Sequence, residues 1–189
     1  MNQPVAHHRL DARAMIAIAH PLRIRIRDRL RRQGPATATQ LARQFGESSG
    51  ATSYHLRMLA RHGLVEPDPD RGKGRERWWR ATPGLFQIDV SELVEDDLAR
   101  EALRVTAGEL HRLAEERLQT WLDQRQLWSD EWRDATENTA YALRLTADET
   151  RALRDELSAT IEAFLARPAD PEARNVEVEL NIFPTGRPE

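Results

Sequence analysis

The residues of this chain best equipped for chemistry lie between Ser48 and Arg77. Ser48, Ser49, Gly50, Ser53, Tyr54 and Arg57 follow one another at spacings that gather hydroxyls, a glycine, a phenol and a guanidinium on one side of a short helix. Such a surface suits a polyanion. Small side chains permit close approach, free amides at a helix start favour phosphate, and Arg57 is long enough to reach a guanine edge or a backbone oxygen. Further on, Arg71, Lys73, Arg75 and Arg77 share a stretch with Gly72 and Gly74, which makes a flexible arm of cations fit for phosphate or the minor groove. Each feature alone also reads as an ordinary solvated surface. Their order and spacing together read as a DNA-binding module.

The sequence supports little other chemistry. With no cysteine there is no disulfide, thiolate metal site or cysteine nucleophile. The chain has no phosphate-binding glycine loop or H-E-x-x-H motif. His7 and His8 adjoin without further ligands, and the pairs Asp96/Asp97 and Glu115/Glu116 diverge on a helix as solvated carboxylates. Neither an enzyme nor a cofactor is expected.

Local signals place the candidate residues on defined elements. Thr37 followed by Gln40 is a capping box that opens a helix carrying Leu41, Ala42 and Phe45 on one side, and Gly46 ends it. Ser48 caps a second helix whose inner side is Thr52, Leu56, Leu59 and Ala60, closed by Gly63. The chain then breaks at Pro67 and Pro69 and returns over Glu76 to Ala81, a basic two-stranded hairpin. Upstream, a loose terminus over residues 1–9 leads into an apolar helix from Leu10 that stops near His20, because Pro21 disfavours helix in its predecessor. LRIRIRDRL alternates like a strand, yet Leu22, Ile26 and Leu30 share a helical face, and a helix is the expectation. Ile24 falls off that face, and Arg23, Arg25 and Arg32 are expected to be solvated.

HPLRIRI at His20–Ile26, the run SSGATSYHLRMLARHGLV and the hairpin RGKGRERWWRA together resemble the winged-helix ArsR-type family of bacterial transcriptional regulators, over about residues 10–82. The resemblance implies that the second helix of the pair enters the major groove, that the hairpin is a wing, and that a homodimer reads a pseudo-palindromic operator. It also implies base or phosphate contacts for Ser49, Gly50, Ser53, Tyr54 and Arg57, wing contacts for Arg75 and Arg77, and a packed His55. The chain departs from the family pattern at Arg27 and Arg29, positions usually apolar there, and it lacks the cysteines of the metal-sensing branch.

Charge divides the chain. Residues 1–82 hold 16 Lys and Arg against 7 Asp and Glu, and residues 83–189 hold 12 against 24. A basic half joined to an acidic half fits a nucleic-acid reader with a solvated partner domain. No apolar run reaches the roughly 18 residues of a membrane span, and the N-terminus lacks a signal-peptide core, so a cytoplasmic protein is expected.

The acidic half carries a long helix, expected from an N-cap at Ser91 with Glu92 to about Leu127. Leu85–Val90 reads as a short extended piece before it. Along the helix Leu103, Ala107, Leu110, Ala114, Leu118 and Trp121 recur at near-heptad spacing, a seam that needs a partner helix. Two partners remain open, a second copy or the helix's own subunit. TAYALRL (Thr139–Leu145) and VEVELNI (Val176–Ile182) alternate as strands around a helix opened by the box Thr146/Glu149, a small strand-helix-strand unit. Two strands do not stand alone and should lean on the long helix or a partner chain. Trp121, Trp128, Trp132, Tyr141 and Phe164 read either as core or as the lining of a pocket for a small apolar effector.

The expected architecture is therefore mainly α (α+β): a winged helix-turn-helix DNA-binding domain over 1–82, and a dimerisation and effector domain over 83–189. Expected partners are double-stranded DNA and a second copy, through Met15, Ile18, Leu103, Leu110, Ala114, Leu118 and Trp121, with no membrane. The rival reading is a winged-helix adaptor that binds protein or RNA without operator specificity. The basic hairpin speaks against a pure protein binder, since so many arginines would need matching carboxylates.

Overall fold

The computed structural model of the chain describes residues 7–71, 77–83, 85–88, 96–168 and 170–187, with the backbone alone for 7–10 and 85–88. Two compact units divide it, Ala6–Leu113 and Ala114–Glu189.

The first unit begins with β1 (His7–Leu10), which pairs in parallel with β5 (Leu85–Ile88), His7 opposite Leu85 and Leu10 opposite Ile88. Part of the terminus expected to be loose is thus a strand. α1 (Ala12–Ile18) follows, its Ala14 N–H held by the Asp11 carboxylate at 2.7 Å. α2 (Pro21–Gln33) starts on Pro21, with His20 Nδ1 accepting from Leu22 N–H at 3.2 Å.

α2 explains its own alternation. Leu22, Ile26 and Leu30 lie on one face, Ile24 and Asp28 on the opposite one, and all five are buried. A helix enclosed on two sides buries alternate residues, as a strand does.

Arg23, Arg25, Arg27, Arg29 and Arg32 of α2 are correspondingly half-buried, against the expectation of solvation for Arg23, Arg25 and Arg32, while Arg31 is exposed. Their stems cover apolar surface while their heads find partners. Arg29 donates to the Gly34 carbonyl at 2.7 Å and to Gln44 Oε1 at 3.1 Å, Arg32 bonds Asp28 at 2.8 Å, and Arg25 lies 4.7 Å from the centre of the Phe45 ring. Arg27 is the most enclosed. Burial, then the neighbouring Arg31, pushes its pKa down to about 10.

β2 (Ala36–Thr37), α3 (Ala38–Phe45), α4 (Ser49–Arg61), β3 (Val65–Pro67) and β4 (Trp78–Ala81) complete the helix pair and its hairpin. β4 is central in an antiparallel sheet of order β2-β4-β3, with Val65 opposite Ala81 and Ala36 opposite Trp79. The core gathers Met15, Ile18, Leu22, Ile24, Ile26, Leu30, Leu41, Leu56, Leu59, Leu64, Val65 and Trp79. Met15 and Ile18, expected at a dimer interface, belong to this core. With only seven residues, α1 spends its apolar side, Ala14, Met15, Ala17 and Ile18, on its own chain.

α5 (Asp97–Gln124) is the long helix, continued by a 3₁₀ turn over Arg125–Leu127. Asp96 caps it, its carboxylate accepting from the N–H groups of Leu98 and Ala99 at 2.9 and 3.2 Å. Val90 and the caps expected at Ser91 and Glu92 lie outside the described residues. Ala99 and Ala102 are buried in the first unit's core, so that unit extends past the boundary expected at residue 82 into α5.

The second unit contains α6 (Asp130–Asp134) and α7 (Ala147–Leu165). α7 opens on the expected capping box, Glu149 N–H to Thr146 Oγ1 at 3.2 Å and Thr146 N–H to Glu149 Oε2 at 2.7 Å. The flanking segments 139–145 and 176–182 are not strands in the described chain. Their apolar residues other than the half-buried Ile182 are exposed, Tyr141 by 76% and Val178 by 65%, because alternation prepares a face without supplying the layer that covers it.

Candidate nucleic-acid interface

α3 and α4 owe their geometry to local chemistry. Thr37 closes its capping box with Gln40, Thr37 N–H to Gln40 Oε1 at 2.9 Å and Gln40 N–H to Thr37 Oγ1 at 3.2 Å. Gly46 ends α3 at φ 71°, ψ 28°, the left-handed conformation that glycine adopts without strain. Ser48 then starts α4, its Oγ accepting from Ala51 N–H at 3.1 Å while Thr52 Oγ1 donates to the Ser48 carbonyl at 3.0 Å. The side chain of Ser48 is therefore committed to its cap.

Thr52, Leu56 and Leu59 are fully buried, which fixes the rotation of α4. Ser49, Gly50 and Arg57 are exposed, Tyr54 is 53% exposed and Ser53 is half-buried. The expected polar face is thus the open one. Apolar burial is worth about 1.5–3 kcal/mol per fully enclosed Leu, so this orientation is strongly specified.

The hairpin presents its cations less uniformly. Arg77 is exposed, its guanidinium 4.7 Å from the centre of the Trp79 ring. Arg71 is exposed, 5.3 Å from the Trp78 ring and 3.9 Å from the Asp68 carboxylate. Arg80 is engaged across the ladder with Glu66 at 2.7 Å. Gly72, Lys73, Gly74, Arg75 and Glu76 lie outside the described residues.

One cluster beside α4 escaped the sequence reading in part. His55, expected to be packed and hydrogen-bonded, packs against His20 of the α1–α2 turn, ring centres 4.7 Å apart, with Tyr54 edge-on at 5.5 Å, but its Nδ1 makes no hydrogen bond. Burial holds both histidines below their ordinary value of 6.5, with Arg23 pushing the same way and Glu47 opposing. Arg23 Nε and His55 Nδ1 are buried with no hydrogen-bond partner. The signal in the sequence was the spacing of His20 and Arg23 about Pro21, which positions both beside the first turn of α2.

Residues 18–68 match the model of a helix-turn-helix domain. The matched stretch runs from the end of α1 through α4 to the first residues of the hairpin. No curated protein matches the chain in sequence. Among solved structures, the chain is similar to a mutant of ZitR from Lactococcus lactis in apo form, at 17% identity over 77% of this chain and 83% of that one, with a TM-score of 0.35. It is also similar to the transcriptional regulator Tm0710 from Thermotoga maritima, at 12% identity over 79% and 81%, TM-score 0.31. A third is RV1404 from Mycobacterium tuberculosis, at 16% over 80% and 81%, TM-score 0.30.

The other expected sites fare differently. On α5, Leu110 and Leu118 are 40% and 38% exposed, Leu103 and Trp121 half-buried and Ala114 buried. Of the five aromatics, Tyr141 and Phe164 are 76% and 59% exposed, and Trp128 and Trp132 are in ring contact at 6.2 Å. Arginines occupy the other faces, Arg125 over Trp121, Arg174 over Trp128 and Arg167 over Phe164. Among the described residues no helix is long and apolar enough to cross a membrane, and no cluster of three His, Asp or Glu could hold a metal ion.

Proposed function

We propose that this chain is a cytoplasmic, DNA-binding transcriptional regulator of the ArsR-like winged-helix kind, acting as a homodimer and not as an enzyme. One observation carries the reading: α4 buries Thr52, Leu56 and Leu59 and turns Ser49, Gly50, Tyr54 and Arg57 outward, within a matched helix-turn-helix domain whose hairpin exposes Arg71 and Arg77. In this reading Ser49, Gly50 and Ser53 permit close approach to the major groove, Arg57 reads a base, and the hairpin cations, Lys73 and Arg75 included, hold the backbone. A two-fold pair would place its α4 helices about 34 Å apart and read an inverted repeat. The exposed leucines of α5 support a contact between copies.

Titration against duplex DNA tests this. The logarithm of affinity should fall with the logarithm of salt by roughly 0.9 per phosphate contact. Arg57→Ala should relax preference at one position of each half-site by about 1–3 kcal/mol, whereas Arg77→Ala should weaken all duplexes alike. Uniform losses in both variants would remove Arg57 from base readout, and absent or salt-independent binding would favour a protein- or RNA-binding adaptor.

A further inference from the structure

The unit from Ala114 onward lacks a core of its own. Among its described residues Ala114 alone is buried, and neither α6 nor α7 encloses a side chain. The exposed residues include apolar ones placed for packing: Tyr141, Leu143 and Leu145 at 76, 62 and 42%, and Val176, Val178 and Leu180 at 65, 65 and 42%. Phe164 and Leu165 of α7 are 59% and 54% exposed. A 19-residue helix with a good cap does not hold its structure on propensity, and its stability comes from covering an amphipathic face.

We propose that this unit completes its core against the same unit of a second copy, with 139–145 joining as a strand a sheet shared by the two chains. The inference rests on the homodimeric reading above and says where that dimer gains its stability. Three features select a second copy as the occupant. First, the alternation of 139–145 and 176–182 has period two, the pattern of a strand with one covered face, and neither segment is helical. Second, each copy offers two such segments and one amphipathic helix. That is too little alone, since a stable sheet needs three or more strands with a covered face, and doubling it gives four strands under two helices, a complete two-layer unit. Third, the exposed apolar side chains of one copy present on the order of 1,000 Å², close to the roughly 800 Å² per partner of a stable interface.

Hydrogen exchange on the full-length protein over a range of concentrations tests the proposal, with sedimentation giving the mass at each. The expected result is a dimer in which the amides of 139–145 exchange at least about tenfold more slowly than after dilution to monomer. Leu143→Asp and Val178→Asp should shift the protein to monomer while amide protection in α2–α4 is unchanged, whereas Leu143→Ile should remain dimeric. A dimer with 139–145 unprotected, protection that survives dilution to monomer, a monomer at all concentrations, or a dimer indifferent to both aspartates would overturn it. Duplex titration of the same samples separates the two readings. Wild type that dimerises in this way yet ignores DNA leaves the interface and removes the function, and an L143D protein that still binds a full inverted repeat as a dimer does the reverse.

Discussion

The two units of this chain use the same vocabulary and reach different ends. Each has a Thr-x-x-Glu/Gln capping box, an amphipathic helix and short alternating segments, but Ala6–Leu113 closes a core with Met15, Ile26, Leu41, Leu56 and Leu59 fully enclosed, whereas among the described residues from Ala114 onward only Ala114 is buried. Local signals decide that an element forms. What decides stability is the opposing layer, supplied in the first unit by its own chain.

The largest effect that would break this contrast is a truncation in each half. Leu56→Ala removes a fully buried side chain between α4 and the rest of the core, and should cost about 2–5 kcal/mol in urea or thermal unfolding. Leu143→Ala removes one that is 62% exposed, and should cost under about 0.5 kcal/mol in dilute protein, with the cost growing as concentration rises. Equal costs at low concentration would mean that Leu143 is covered within its own chain.

The capping boxes sharpen the comparison at smaller magnitude. Thr37 is 4% exposed and also belongs to the β2 ladder, so Thr37→Ala leaves the part-buried Gln40 N–H short of an acceptor and should cost about 1–2 kcal/mol. Thr146 is exposed, water replaces its oxygen, and Thr146→Ala should cost about 0.5 kcal/mol. Denaturant midpoints of the two variants check the order.

These local devices were legible from the sequence because each is closed within four residues: both boxes, the left-handed Gly46 and the Ser48 cap. The polar face of α4 was legible too, since the positions of Thr52, Leu56 and Leu59 fix its rotation. Features set by distant partners were not. The β1–β5 ladder joins Leu10 to Ile88, and neither segment bears a mark of the other. Periodicity showed that Met15 and Ile18 needed covering, and the expectation gave that cover to a second copy where the chain supplies it itself. The alternation of α2 arose from enclosure on two sides, which a single face of Leu22, Ile26 and Leu30 did not disclose.

Acid should also separate the halves. His20 and His55 sit below their ordinary value of 6.5, while residues 114–189 contain no histidine. Below pH 6.5 the unfolded chain binds these protons more readily than the folded one, so the first unit's stability is fully present above that pH and declines as pH falls through the window beneath it. His55→Gln should flatten the dependence of the unfolding midpoint between pH 7 and 5. An unchanged slope would assign that acid sensitivity to other groups.

The smallest expected effect on stability comes from two ion pairs, one in each unit. Arg80–Glu66 at 2.7 Å crosses the wing ladder and Arg117–Glu177 at 3.1 Å ties α5 to the segment after α7, and all four side chains are about a third exposed. Solvent screens such pairs, so Glu66→Gln and Glu177→Gln should both leave the unfolding midpoint nearly unchanged. Their effects on DNA should differ. Glu66 holds the Arg80 guanidinium and raises its pKa, so Glu66→Gln frees a cation on the wing and removes a negative charge beside it. Duplex affinity at low salt should rise, and the salt slope should steepen by up to about 0.9 if Arg80 gains one phosphate. Glu177→Gln should leave that slope alone. Equal slopes in the two variants would mean that Arg80 stays out of reach of the backbone, and that the wing binds through Arg71, Arg77 and its tip alone.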